Sequence, residues 1–316
     1  MRLALFAGSS LLIGGLCAAT ACSDSSSDSA SGGPGANESG TDAPVAPGQD
    51  ASSDTSASDS APDANEPLTT ATEVEPNGGQ PETAVGTMKL PGVMNGVIGA
   101  PVAGVDDIDI FTIDIKPGEF WDWNAVATPA GLAPLVTVFD ITPSTLNPTA
   151  VGYAGAGAPA KLQHFVLRPG TFVVAMRDAR NRAPSQHKGG PTYGYALTGK
   201  RAVPQPTAVT FPSTKTGKLA SVGSVDLYTF TGTGGKGFDI VINAARKLPA
   251  SSLDSRLSLF DITAKKAIIT NDNGPTTTDS EVGGDAPLAS TYMVIVENEG
   301  VDDSDLSYEI QFKQRP

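Results

Sequence analysis

Five short blocks of this chain recur in the same order. Asp107–Ile113 (DIDIFTI) is matched by Ser224–Phe230 (SVDLYTF), and Phe120–Ala127 (FWDWNAVA) by Gly237–Ala244 (GFDIVINA). Pro134–Thr142 (PLVTVFDIT) is matched by Ser255–Thr263 (SRLSLFDIT), Pro169–Met176 (PGTFVVAM) by Ala289–Val296 (ASTYMVIV), and Tyr193–Lys200 (YGYALTGK) by Leu306–Lys313 (LSYEIQFK). Phe139 to Thr171 spans 32 residues, and Phe260 to Thr291 spans 31. Chance explains one shared word, not an ordered series at similar spacing, so the sequence implies two copies of one folding unit.

The blocks are short runs of Val, Ile, Phe, Tyr and Thr, separated by Gly, Pro, Asn and Asp. β-branched and aromatic residues in period-two runs indicate strands, and no amphipathic helical stripe of useful length competes with them. Many short strands between turn clusters predict an all-β chain: two tandem antiparallel β-sandwich, jelly-roll-like domains after a disordered N-terminal segment. The expected boundaries are 1–21 for a signal peptide, 22–70 for a linker, 71–203 for the first sandwich and 204–316 for the second. In the shared word Phe-Asp-Ile-Thr, Phe139 and Phe260 are expected to pack inward. Asp140 and Asp261 are expected to bond backbone amides of the following turn, as Asp readily does.

The N-terminus carries Arg2, a short apolar stretch from Leu3 to Leu16, and the small residues Ala19-Thr20-Ala21 before Cys22. That is the layout of a secretory signal, too short for a membrane helix. The small residues before cysteine resemble the lipobox of bacterial lipoproteins, with Ala19 where Leu is usual, which implies lipidation at Cys22. Cleavage there removes Cys17 and leaves Cys22 as the sole thiol, so no disulfide holds the mature chain. The following Ser-, Asp-, Ala-, Gly- and Pro-rich stretch has no Lys or Arg and nothing large to bury, and is expected to be a disordered tether. Ser23 next to the cysteine lacks the Asp that typically retains such lipoproteins in the inner membrane. The expected location is therefore the outer membrane or cell surface, with the membrane as a partner through the lipid.

Charge adds little about other partners. The chain carries −13 overall, but the tether and signal hold nine of the acids and Arg2, leaving 25 acids and 20 bases, or −5, for the rest. No basic stripe is present, which argues against nucleic acid.

The blocks, together with Glu73-Val-Glu-Pro-Asn-Gly-Gly79, resemble the bacterial pre-peptidase C-terminal (PPC) domain over most of residues 71–316. The first copy departs from the family pattern in the insertion Arg180–Thr192. The second lacks the Glu-Pro-Asn opening and has Ala202-Val-Pro-Gln-Pro-Thr-Ala-Val209 there. The resemblance implies a compact β-sandwich usually appended to secreted peptidases, similar to collagen-binding domains, that acts as a targeting or solubilising module. It also implies a calcium site in the first copy from Glu75 and Asn77 with Asp106, Asp107 or Asp109. The residues themselves leave turn formation as the other role for these side chains.

Catalytic motifs are not found. The chain has two histidines, His164 and His187, and lacks a His-Glu-x-x-His pair, a Gly-x-Ser-x-Gly elbow and a phosphate-cradling Gly-rich loop. His164 is expected on a solvent-facing strand position. Trp121 and Trp123 alternate onto one face, where they would either grip a sugar or peptide or join the core; their counterparts Phe238 and Ile240 favour the core. The function expected is non-enzymatic: a cell-envelope lipoprotein that displays two β-sandwich modules toward extracellular protein or polysaccharide, with no cofactor beyond calcium. The alternatives are a carboxylate-based secreted hydrolase with an inter-domain site and an accessory subunit of a secreted peptidase.

Overall fold

The alternating runs become strands throughout the computed structural model, which describes residues 66–74, 86–102, 104–142, 147–182, 187–273, 277–285, 289–300 and 304–315. Cys22, Glu75 and Asn77 lie outside the described residues, as does most of the tether. The first set of strands is β1 (Thr69–Thr72), β2 (Gly86–Thr87), β3 (Gly92–Val97), β4 (Asp109–Ile113) and β5 (Phe120–Ala127), followed by β6 (Pro134–Asp140), β7 (Asn147–Tyr153), β8 (Ala160–Phe165), β9 (Phe172–Asp178) and β10 (Gly194–Ala202). The second is β11 (Thr207–Ala208), β12 (Ser213–Lys218), β13 (Asp226–Thr231), β14 (Gly237–Asn243) and β15 (Ser255–Asp261), followed by β16 (Lys266–Asn271), β17 (Glu281–Asp285), β18 (Thr291–Asn298) and β19 (Ser307–Gln314).

Each set folds into two facing sheets. In the first, β1-β3-β10-β5-β8 packs on β2-β4-β9-β6-β7; in the second, β12-β19-β14-β17 packs on β11-β13-β18-β15-β16. Ladders are antiparallel except where β1, β2 and β11 join β3, β4 and β13 in parallel. The first core gathers Trp121, Trp123, Phe111, Leu162, Val174 and Met176 between its sheets. The second gathers Tyr292, Tyr308, Phe312, Ile240 and Leu257. Both belong to the unit Ser58–Pro316.

The topologies are the same, strand for strand, from β2–β10 onto β11–β19, so sequence blocks that match also sit at matching places. Even the irregularities coincide: β6 slips against β7 between Val138 and Phe139, and β15 against β16 between Leu259 and Phe260. Of the described strands, β1 has no counterpart.

The expectation for the two phenylalanines of the shared word is overturned. Phe139 and Phe260 do not point between their own sheets. Their neighbours Val138 and Leu259 do, and because side chains alternate across a strand, the phenylalanines face outward. Phe139 lies with Ile110, Val173 and Ala175 on the outer face of its sheet. Phe260, 1 % exposed, lies in a separate apolar seam with Phe120, Phe165, Leu227, Met293 and Ile295. This seam joins the two sandwiches. Phe165 and Phe260 meet edge-on at 5.0 Å between ring centroids, a geometry that contributes about 0.5–1.5 kcal/mol beyond simple burial.

Polar contacts fix the seam's register. The Gln163 amide donates to the Gly223 carbonyl at 2.7 Å, and Val225 N donates to the Gln163 side chain at 3.0 Å. Arg256 Nη2 donates to the Thr149 carbonyl at 2.5 Å. The seam is used once. At the positions equivalent to Phe120 and Phe165, which pair across β5 and β8, the second sandwich pairs Gly237 with Asp285.

Candidate functional site

The two sandwiches differ most where their shared plan places a buried carboxylate. Tyr195 on β10 pairs with Gly96 on β3, and Tyr308 on β19 pairs with Gly217 on β12. Both glycines are obligatory for packing: a Cβ at Gly96 would strike the Tyr195 hydroxyl, and one at Gly217 would strike the Tyr308 ring. The tyrosines reach toward equivalent acids, Asp109 and Asp226, at the starts of β4 and β13. The sequence thus builds one Gly-Tyr-Asp arrangement twice.

In the second sandwich the arrangement is closed. Tyr308 donates to Asp226 at 2.5 Å, and the Tyr228 and Tyr308 hydroxyls are 2.9 Å apart. Burial raises the Asp226 carboxyl, while the bond from Tyr308 holds it down. Tyr228 stands where the first sandwich has Phe111, so a hydroxyl present in one copy is missing from the other.

The first sandwich is open in the chemical sense. Glu73, just beyond β1, takes the Tyr195 hydroxyl at 3.0 Å and the Val97 amide. Asp109 is 0 % exposed, and neither of its carboxylate oxygens has a hydrogen-bond partner among the described residues. Burial, and then the adjacent Glu73 carboxylate, push Asp109 up to about 10. Asp107, 2.5 Å from the Gly99 amide it accepts from, is raised as well, first by burial and then by Glu73. A fully buried acid with no counter-charge is costly to ionise. It is held as a neutral acid, or a cation stands beside it.

Of the residues expected at a calcium site, Asp107 and Asp109 both lie within electrostatic reach of Glu73. Asp106 turns away to His187, its Oδ1 2.8 Å from Nδ1. Glu75 and Asn77 are outside the described residues. Among the described residues, no three His, Cys, Asp or Glu side chains converge as a metal-binding group. Glu73 was not singled out by its sequence context. Its signal was the acidic spacing Glu73-x-Glu75 directly after a strand.

Trp121 and Trp123 are 1 % exposed each and belong to the core, so they offer no surface to a sugar or peptide. The alternation that puts both on one face is the cause: that face packs against the opposite sheet. Trp121 donates to Glu119 at 3.0 Å and carries the Arg201 guanidinium over its ring at 5.5 Å.

His164 is also not where expected. It pairs with Trp121 across β5 and β8, shares its inward side, and is 3 % exposed. It borders a cleft of about 650 Å³ between the sandwiches, walled by Pro148, Leu167, Arg168, Ile268 and Arg256. Its Nδ1 is sealed and has no partner among the described residues. Burial, with Arg256 nearby, lowers its pKa to about 3, so the ring is neutral. Two acids of this cleft are engaged: Arg256 binds Glu297 at 2.9 Å and Glu299 at 2.7 Å.

The other deeply buried carboxylates hold turns. Asp140 accepts the Thr142 amide at 2.9 Å and pairs with Arg168 at 2.8 Å; Asp261 accepts the amides of Thr263 and Ala264, both at 2.9 Å. Asp279 accepts the Ala244 and Ala245 amides and pairs with Arg246 at 2.7 Å. These bonds outweigh burial and hold its carboxyl below the usual range.

No family model matches the sequence. No curated protein matches it either. Among solved structures, the chain is similar to the pre-peptidase C-terminal domain of collagenase from Bacillus anthracis, at 16 % identity and a TM-score of 0.28, over 35 % of this chain and 98 % of that one. It is similar to PliG, a periplasmic inhibitor of g-type lysozyme from Aeromonas hydrophila, at 14 % identity and a TM-score of 0.28, over 35 % and 96 %. It is also similar to the tandem CBM51 modules of a family 98 glycoside hydrolase from Streptococcus pneumoniae, at 8 % identity and a TM-score of 0.22, over 69 % and 83 %.

Proposed function

We propose that this chain is a non-enzymatic envelope lipoprotein, anchored through Cys22 at the outer membrane or cell surface, that displays two joined β-sandwiches toward extracellular protein or polysaccharide. The observation that carries the non-enzymatic reading is the employment of the carboxylates away from the Asp109 cluster. Asp140, Asp261 and Asp279 cap backbone amides, and Glu297 and Glu299 are bound by Arg256. A glycosidase needs two carboxyl groups facing each other across an open site, one of them free to move a proton. Two acids of the inter-sandwich cleft, Glu297 and Glu299, are instead both bound by Arg256, which weighs against the hydrolase alternative.

The first sandwich is proposed to carry a calcium ion. Asp109 fits such a group because its two buried oxygens make no geometric hydrogen bond among the described residues, and hard oxygen donors suit this ion. Glu73 and Asp107 lie within electrostatic reach of it, and Glu75 and Asn77 follow Glu73 in the sequence. The ion would supply the positive charge that Asp109 otherwise lacks. Its role is structural, fastening the segment after β1 to β4. In the second sandwich, Tyr228 and Tyr308 satisfy the equivalent acid without a cation.

An array of glycans and matrix proteins probed with the full chain tests the binding reading. Retention on a defined class, without cleavage of it, is the expected result. Release of shorter products from any arrayed glycan would contradict it.

A further inference from the structure

A buried titratable ring borders the cleft at the seam between the sandwiches, together with the side chain that bridges it. Arg256 projects from β15 of the second sandwich. Its Nη2 holds the Thr149 carbonyl of the first, and its remaining donors hold Glu297 and Glu299. His164, on β8 of the first sandwich, lies 3 % exposed at the same corner, with Phe172 edge-on at 6.2 Å. Arg168, in the β8–β9 connection, also borders this cleft and is paired with Asp140 at 2.8 Å. On the second sandwich, Asp272 completes the charged lining with Glu297 and Glu299.

We propose that this seam is a proton-sensitive latch, shut while His164 beside Arg256 is uncharged and loosened when mild acid protonates the ring. A protonated imidazole there would be a second cation next to a buried guanidinium, with its Nδ1–H sealed from any acceptor. Separating the sandwiches would wet the corner, distance Arg256 and return the ring toward its ordinary value of 6.5 from about 3. Opening is then coupled to uptake of one proton below pH 6.5. The docking equilibrium weakens with acid, by up to about tenfold per pH unit for one linked proton. Glu297 opposes this: burial raises its carboxyl, so its protonation favours the docked form. Replacing it by Gln removes that opposition.

Small-angle X-ray scattering of the full chain from pH 7.5 to pH 5.0, with circular dichroism to confirm intact sandwiches, tests the latch. The expected result is a larger radius of gyration at pH 5.0 for the wild type, unchanged dimensions for His164→Phe, and opening at higher pH for Glu297→Gln. Should His164→Phe not fold, Arg256→Met is the second variant; it removes both the bridge and the neighbouring charge, and is expected to open the seam at pH 7.5 already. Constant wild-type dimensions across the range, or opening of His164→Phe in parallel with the wild type, would overturn the proposal. A closed Arg256→Met protein at pH 7.5 would do so as well.

Discussion

Tyr195 donates its hydroxyl to Glu73 at 3.0 Å, whereas its counterpart Tyr308 donates to Asp226 at 2.5 Å. One tyrosine position in a duplicated fold thus serves two different acids. In the first sandwich, the intruding Glu73 takes the hydroxyl, and Asp109 lies buried beside Glu73. In the second, no glutamate takes that place among the described residues, and the acid keeps its tyrosine. The difference comes from one short segment, β1 and the residues after it, which the second copy lacks.

Asp109→Asn should separate charge from shape at this position. The amide cannot ionise, so the variant is expected to melt higher than the wild type in chelator at pH 8, and to lose any rise in melting temperature on adding calcium. Asp226→Asn in the second sandwich should leave the calcium response intact. Thermal melts with and without chelator check both statements.

The pH dependence of stability in chelator follows from the same group. Asp109 is raised in the folded chain from 3.8 to about 10. The folded state therefore holds a proton that the unfolded state gives up in that window. The resulting stabilisation is full below about pH 4 and lost as the pH rises through 10. Melting temperatures in chelator should decline from pH 6 to pH 9 in the wild type, and do so less in Asp109→Asn.

Gly223 is the close point of the seam. A Cβ there would strike the Lys161 carbonyl and lie 3.0 Å from Leu162 Cα and 3.1 Å from Gly152 Cα. Backbone cannot yield as a flexible side chain can. Gly223→Ala is expected to destabilise by about 1–3 kcal/mol, the usual range for overpacking, and to expose the Gln163 amide. Urea titration and hydrogen exchange at Gln163 measure the two effects.

Trp121→Ala should cost about 3–5 kcal/mol, as large-to-small core substitutions do. At a temperature where the variant remains folded, retention of any glycan or protein found on the array is expected to equal that of the wild type. A selective loss of retention would return the ring to the binding surface.

The repeat was legible because topology and register follow the spacing of apolar runs, and Asp140 and Asp261 were legible because turn chemistry is local. The seam was not. In Leu257-Ser-Leu-Phe-Asp both faces of the strand are covered, so alternation cannot tell core from interface. Phe260 therefore read as core. His164 did carry a signal: with Ala160 and Leu162 it keeps a period of two along β8, and it lies on their buried side. Glu73 depended on a four-residue strand of Thr and Ala that pairs in parallel with β3, an arrangement with no signature in its own residues.

Calcium titration of the full chain in a weakly buffered solution at pH 7 tests the cation centre most directly. Metal binding to a site whose ligand carries a proton must release it. The account predicts uptake of calcium with release of close to one proton per ion, and neither event in Asp109→Asn. Absence of calcium binding, or binding without proton release, would contradict it.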